Sequence, residues 1–121
     1  MRNQILNRVK NKLTWFDELI LRDIFYFPKD WKYRSYTKSQ IISILFDDDK
    51  EMDEETKKKK LHTLRNRLDV SLKKLVSLGL IKEIKTYPTF YEPIKDENLR
   101  NEILNLTPKY VMVRFRVMKN A

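Results

Sequence analysis

The chain has 121 residues, which fits one domain of common size, and its lack of cysteine excludes disulfides, thiolate catalysis and cysteine-based zinc sites. Its formal net charge is +9, from 26 Lys and Arg against 17 Asp and Glu, and this balance favours a polyanionic partner. No apolar run approaches the roughly 20 residues that span a bilayer, and the first residues lack a signal-peptide core, so we expect a cytoplasmic protein without membrane contact.

Apolar residues recur every three or four positions through the first quarter of the chain, and this spacing predicts helix up to Pro28. The residues of this stripe are Ile5, Val9, Leu13, Phe16, Ile20, Ile24 and Phe27. Thr14 followed by Asp17 can cap a new helix start. The stripe therefore predicts either one long helix or two helices with a break near Lys12.

A second spacing is superimposed on the first, because four apolar residues repeat every seven positions: Leu6, Leu13, Ile20 and Phe27. Two interpretations are open, namely packing in the core of one chain below a frayed N-terminal arm, and a helical seam between two copies. We expect an N-terminal helical arm or helix extension over residues 1–12 and, from the second interpretation, a homodimer.

The next segment combines aromatic alternation with a helix start. Residues 31–36 alternate in a way that predicts a brief strand. Thr37 and Gln40 then form a capping box, which predicts a mostly buried helix that stops at Asp47.

Acidic residues dominate residues 47–55, where seven Asp and Glu accompany one lysine. The spacing has a superficial likeness to a calcium loop, but Met52 replaces the turn glycine and Lys58 replaces the bidentate glutamate. We therefore predict no metal site. Asp53 and the two glutamates after it are placed to cap a helix and to complement its dipole.

The strongest helical signal begins at Leu61. Its core face consists of Leu61, Leu64, Leu68, Leu72, Leu75 and Val76, while lysines and polar residues fill the opposite face. Gly79, the only glycine, follows this helix, and we expect it to adopt a positive φ at the helix C-terminus.

Alternating residues after Gly79 predict a strand. Residues 96–105 predict a short helix, and residues 110–118 predict a second strand, which we expect to pair antiparallel with the first.

This order of helix, short strand, helix, basic leucine-rich helix ending at Gly79, and lysine-bearing strand resembles winged helix-turn-helix DNA-binding proteins. Small transcription regulators of archaeal viruses and plasmids are among them. The resemblance implies an α+β fold, mostly helical, with a small antiparallel wing sheet and an extra C-terminal helix between the wing strands. The domain would span residues 13–118, with an acidic insertion at 47–56 and an extended wing at 80–118.

In such proteins the helix before the wing enters the major groove, and the resemblance implies two groups of contacts. The candidate base-reading residues are Lys59, Thr63, Asn66, Arg67 and Val70, because Asn suits adenine, Arg and Lys suit guanine, and Val suits the thymine methyl. The candidate DNA-backbone contacts are Lys57, Lys58, Lys60, Lys73, Lys74, Lys82 and Lys85. His62, the only histidine, lacks recognisable partners for metal binding or nucleophilic catalysis.

We therefore expect sequence-specific binding of double-stranded DNA by a homodimeric transcription regulator, with no enzymatic activity, cofactor or metal. Two other interpretations are open. One is a replication-associated module, or one that binds RNA or single strands, for which the aromatic and basic residues 31–36 are suited. The other is a winged helix that docks another protein.

Overall fold

A computed structural model describes residues 5–26, 29–45 and 53–105. In this part of the chain the helices and strands, in order, are α1 (Ile5–Val9), α2 (Trp15–Phe25), α3 (Lys38–Leu45), α4 (Glu54–Ser77), β1 (Ile81–Ile84), β2 (Phe90–Pro93) and α5 (Glu97–Leu104). Two 3-10 turns, Lys10–Lys12 and Trp31–Tyr33, lie in the connections before α2 and α3. The mostly helical architecture with a small antiparallel sheet confirms the α+β class.

The N-terminal stripe forms two helices. α1 ends at Val9, and a 3-10 turn separates it from α2. The Asp17 N–H donates to Thr14 Oγ1 at 3.2 Å, and the Thr14 N–H donates back to Asp17 Oδ2 at 2.9 Å. Of the two alternatives, one long helix or two helices with a break near Lys12, the structure has the second, and this capping box satisfies amides at the fresh helix start.

Two of the four heptad positions, Leu6 and Ile20, lie in the core of a single chain. Leu6 is 4% exposed and Ile20 is 0% exposed, while Leu13 packs against the same core. Phe27 lies outside the described residues. In the described part of the chain these residues therefore pack internally, and they leave no exposed seam for a second copy.

The predicted strand over residues 31–36 is wrong, because a 3-10 turn covers Trp31–Tyr33. Trp31 packs into the core against Phe25, with ring centroids 5.9 Å apart. Only Tyr36 makes a strand-like pairing, in which it exchanges two backbone hydrogen bonds with Tyr91, each 2.8 Å long.

The start of α3 is as predicted. The Gln40 N–H donates to Thr37 Oγ1 at 3.2 Å, and the Thr37 N–H donates to Gln40 Oε1 at 2.9 Å. The described helix ends at Leu45, so the predicted stop at Asp47 lies outside the described residues.

Gly79 ends α4 with a φ of 77°, which confirms the predicted positive φ. Its N–H donates to the carbonyl of Val76 at 3.0 Å, and the Leu80 N–H donates to the carbonyl of Leu75 at 3.0 Å. This pair of bonds is the Schellman pattern, which satisfies the last carbonyls of the helix. It also turns Leu80 back into the core, where both leucines are fully buried.

The described sheet is a hairpin of β1 and β2. The strands pair antiparallel from Ile81 opposite Pro93 to Ile84 opposite Phe90, and residues 85–89 form the loop. The sequence pattern did not assign β2 to a sheet, because prolines bound this short segment. The predicted strand over residues 110–118 lies outside the described residues, and α5 follows both described strands.

α2 lies at the centre of the core and packs against α4 and α5. Arg22 of α2 donates from Nη1 to the carbonyl of Leu104 at the end of α5, at 2.6 Å. In return, Arg100 of α5 donates to the carbonyls of Phe25 and Tyr26 at the end of α2, at 3.0 and 3.3 Å. Each helix thus supplies a donor for carbonyls that the other leaves unpaired at its C-terminus. No helix in the described ranges is long and apolar enough to cross a bilayer.

Candidate nucleic-acid interface

α4 carries most of the predicted site residues, and its two halves have different surroundings. The helix has 24 residues and is therefore about 36 Å long. Its buried residues are Leu68, Ser71, Leu72 and Leu75. Over residues 54–67 no side chain is fully buried, and Leu61 and Leu64 are only partly covered. The C-terminal half anchors the helix in the core and presents the N-terminal half to solvent.

The N-terminal half is basic, with six Lys and Arg against two Glu in residues 54–67. Of the predicted backbone contacts here, Lys58 and Lys60 are exposed and Lys57 is half-buried. Asp53 caps the helix by accepting the Thr56 N–H at 2.6 Å, and this bond lowers the pKa of Asp53. The predicted capping role of Asp53 is thus confirmed, while residues 47–52 lie outside the described part of the chain.

A continuous stripe of exposed side chains runs along α4 on the side opposite the core. Its residues follow one another at spacings of three or four: Lys59, Thr63, Asn66, Val70, Lys73 and Ser77. We call this set the outward stripe. It contains four of the five predicted base-reading residues. Val70 is 66% exposed, so an apolar group stands among the polar ones.

Arg67, the fifth predicted base reader, is turned to one side of the outward stripe. Its guanidinium carbon lies 5.1 Å from the ring centroid of Trp15 and 4.6 Å from that of Phe16. These two rings open α2 and stand edge to face, with centroids 5.7 Å apart. Cation–π attraction therefore holds the guanidinium against the first turn of α2.

Lys74, a predicted backbone contact, is bound on the same side. Its Nζ donates to Asp17 Oδ2 at 2.7 Å and to the carbonyl of Lys12 at 3.1 Å. Asp17 is 2% exposed and also accepts hydrogen bonds from the Ser71 hydroxyl and the Thr14 N–H. Burial by itself raises the pKa of Asp17. The hydrogen bonds from Lys74, Ser71 and Thr14 have the opposite and larger combined effect, so the pKa lies below its usual value. Lys74 of α4 is thus held by an ion pair with Asp17 of α2 and stabilises the contact between the two helices.

The other side of α4 contacts α3. Lys38 Nζ lies 2.6 Å from Asp69 Oδ1, and the hydrogen bond that Lys38 donates to Asp69 raises the pKa of Lys38. Within α4, Asn66 Nδ2 and His62 Nε2 are 3.3 Å apart. This contact between side chains one turn apart steadies the Asn66 amide on the outward stripe.

The hairpin carries the two remaining predicted contacts. Lys82 in β1 and Lys85 at the start of the loop are both exposed. Ile81, next to Lys82, is 2% exposed, so the alternation of the strand points one side chain to the core and the next to solvent. Tyr87 in the loop is fully exposed.

The structure adds residues that the sequence did not single out. Arg65 is exposed within the basic half of α4, and its only signal was its charge. Tyr87 stands in the hairpin loop, and the signal for it was a Tyr-Pro pair between two short strands. The contact of Trp15 with Arg67 joins residues far apart in sequence, so no local pattern could predict it.

An open cleft of about 350 Å³ lies between the start of α2 and the middle of α4. Phe16, Arg67 and Val70 border it. It adjoins the outward stripe and is part of the same surface. Among the described residues, no cluster of three or more His, Asp or Glu side chains could hold a metal ion.

The chain matches no protein-family model, no curated protein and no solved structure. A functional conclusion therefore depends on the geometry of this chain.

Proposed function

We propose that the chain is a winged helix-turn-helix protein that binds double-stranded DNA and regulates transcription. α4 is the recognition helix, and the β1–β2 hairpin is the wing. The observation that carries the proposal is the basic, solvent-exposed N-terminal half of α4, which the buried C-terminal half holds in place.

The order of the elements supports the fold that is proposed. α2, the Tyr36 bridge, α3, α4 and the hairpin follow one another as the elements of a winged helix do. The bridge between Tyr36 and Tyr91 joins the start of α3 to the hairpin by two backbone hydrogen bonds. The hairpin loop has only five residues, 85–89, which is a compact wing.

The shape of α4 supports the mode of binding. The major groove of DNA is about 12 Å wide and admits one α-helix. Because the N-terminal half of α4 extends beyond the buried residues, a duplex can approach the outward stripe without meeting the core. The stripe offers a cation, a hydroxyl, an amide and an apolar group, which are the types of group that distinguish base edges.

Charge supports the choice of partner. Lys58 and Lys60 flank the outward stripe near its start, and Lys82 and Lys85 stand on the hairpin that follows α4. Lysines in these places contact the phosphates on either side of a groove, which positions a protein without reading sequence. The hairpin itself is neutral over residues 81–93, because Glu83 and Glu92 balance Lys82 and Lys85, so the basic character of the proposed surface comes from α4.

The test is a binding titration with a fluorescent mixed-sequence duplex, followed by anisotropy at increasing salt. We expect affinity to fall steeply, since each phosphate neutralised releases counterions and the logarithm of the binding constant falls by about 0.9 per contact and decade of salt. Affinity that does not change with salt, or no binding at low salt, would contradict the proposal.

Two variants then separate base reading from phosphate contact on sequences selected from random duplexes. Asn66→Ala should weaken binding to the selected sequence by about 1–3 kcal/mol and reduce the preference for that sequence over others. Lys73→Ala should weaken all duplexes alike and reduce the salt slope by about one. Lys29→Ala is the matched control. Lys29 follows the C-terminal end of α2, whereas Trp15 and Asp17, which contact α4, lie at its N-terminal end. If Lys29→Ala weakens binding as much as Lys73→Ala, α4 is not the contact surface.

A second candidate function, single-strand binding, is favoured by two exposed rings. Tyr33 is 83% exposed with Lys95 Nζ 5.6 Å from its centroid, and Tyr87 is fully exposed. Exposed rings near lysines can stack with unpaired bases. Trp31 is buried, however, so the aromatic segment at 31–36 offers less ring surface than its sequence suggested. Competition of the labelled duplex by single strands of the same sequence decides between the two functions.

A further inference from the structure

We propose that Arg67 is a phosphate contact held in position by Trp15, and not a base reader, so that Trp15 is a positioning residue for DNA binding. This inference rests on the proposed function and deepens it. It reassigns Arg67 from the group of Asn66 and Val70 to the group of residues that contact the DNA backbone.

The geometry of α4 separates Arg67 from the outward stripe. Asn66 and Val70 are exposed on the outward stripe, where they border the cleft beside α2, whereas the Arg67 guanidinium lies over the rings of the first turn of α2. When a helix lies in the major groove, the N-terminal part of its outward side faces the base edges, while its two sides and its C-terminal end face the sugar-phosphate strands that border the groove. A guanidinium on the side of α4 therefore meets a phosphate first.

The two rings determine where that guanidinium stands. Its centre is 5.1 Å from the Trp15 centroid and 4.6 Å from the Phe16 centroid, both within the range of cation–π attraction. The guanidinium carbon lies over both rings, and a guanidinium carries five N–H donors, so Arg67 can still donate hydrogen bonds to a phosphate. Trp15 is half-buried and Phe16 is 5% exposed, so the fold fixes the place of these two rings before any binding. We call the position of the guanidinium over the two rings the ring contact of Arg67.

The ring contact of Arg67 lowers the entropy cost of binding. An unrestrained arginine loses rotamer freedom when it contacts a phosphate, whereas an arginine held against two rings has lost part of that freedom already. Lys74, on the same side of α4, is paired with Asp17, and Arg67 is thus the more available cation of this side. The contribution of Trp15 should be that of an exposed cation–π contact, a factor of about two to five in affinity.

A double-mutant cycle on duplex affinity tests the proposal. Arg67→Gln should weaken all duplexes alike and lower the salt slope by about one. Trp15→Leu should weaken binding about two- to fivefold in the wild-type chain and have no effect in the Arg67→Gln chain. Trp15→Phe should retain most of the affinity, because it keeps a ring. Thermal unfolding of each variant identifies any that does not fold.

Arg65 provides the matched control, because it is exposed on the same helix and lies about 200° around the helix axis from Arg67. The effect of Trp15→Leu should be the same in an Arg65→Gln chain as in the wild type. Coupling of Trp15 to Arg65 as strong as its coupling to Arg67 would overturn the proposal, as would relaxed sequence preference in Arg67→Gln.

A measurement on the free protein covers the case in which Trp15→Leu does not fold. The Nε–H proton resonance of Arg67, assigned by its loss in Arg67→Gln, should be shifted upfield by the ring currents, whereas that of Arg65 should not. If the Nε–H resonances of Arg67 and Arg65 coincide, the ring contact of Arg67 is absent, whatever the protein binds. If the wild-type chain does not bind the duplex while the shift is present, the proposed function fails and the phosphate role of Arg67 fails with it. Duplex binding without Trp15 coupling overturns this inference alone.

Discussion

The two halves of α4 are one continuous helix, but different forces determine their sequences. The C-terminal half is selected for packing, since Leu68, Leu72 and Leu75 are at most 1% exposed. The N-terminal half has no fully buried residue, so its helicity depends on its cap, on its local charges and on continuity with the packed half. An exposed helical surface can therefore be held in place without being packed itself, provided that the helix continues into a core.

The largest effect should come from a cavity in the packed half. Leu72→Ala should lower the free energy of unfolding by about 2–5 kcal/mol, because it deletes buried methyl groups that the core cannot replace. Leu61→Ala is the matched change in the exposed half, and it should cost much less because Leu61 is only partly covered. Urea unfolding followed by circular dichroism measures both. Equal costs would mean that the exposed half also packs against something.

The Asp17 network should have the next largest effect. Asp17→Asn should cost about 1–3 kcal/mol at neutral pH, because it removes the charge that Lys74 and Ser71 share. The pKa of Asp17 lies below its unfolded value of about 4. Its contribution is therefore present above about pH 4 and is lost as the pH falls through the folded-state pKa. The difference between wild type and variant should shrink in acid, as unfolding curves at a series of pH values will show. A constant difference would contradict the network.

A smaller effect is expected at the end of the packed half. Gly79→Ala should cost about 1–2 kcal/mol, the penalty of an L-residue at positive φ. Apart from Gly79 and its two chain neighbours, no atom of the described residues lies within 4 Å of the position that a Cβ would occupy, so conformational strain and not a clash sets the cost. Gly79→Asn should cost less, since asparagine tolerates this conformation. If the two variants are equally destabilised, strain at φ is not the cause.

The smallest effect should be confined to the exposed half. Asp53→Ala removes the acceptor of the Thr56 N–H, so the first turn of α4 should fray. Hydrogen exchange should become faster for amides in the first turns and remain unchanged near Leu72. Asp96→Ala, which removes the corresponding cap of α5, is the control and should leave α4 unaffected. Faster exchange along the whole of α4 would show that its halves are not independent.

The parts of the fold that local chemistry determines were predictable. Thr14, Thr37 and Asp53 cap helices as their side chains allow, and Gly79 ends one as its missing Cβ allows. The sheet was not predictable in the same way. β2 exists because its backbone pairs with β1 and with Tyr36, and no property of residues 90–93 alone requires that. For the same reason the aromatic alternation at 31–36 suggested a strand where a 3-10 turn forms.

The candidate site divides along the same line. The 3.6-residue period predicted which side of α4 is exposed, and Lys59, Thr63, Asn66 and Val70 lie there. It could not predict that Arg67 and Lys74 turn toward α2, because their partners come from the start of another helix. The helical period gives the direction of each side chain from the axis of α4. The packing of α4 against neighbouring helices decides which of these side chains make contacts.

The arginine bonds between α2 and α5 have a consequence for recognising distant relatives. Their acceptors are main-chain carbonyls at positions 25, 26 and 104, which every residue type supplies. Substitution of the side chains at these three positions therefore leaves the acceptors in place, provided that Arg22 and Arg100 persist. A pair of arginines, one near the end of the first core helix and one in the middle of the last described helix, is a signature that should outlast overall sequence similarity.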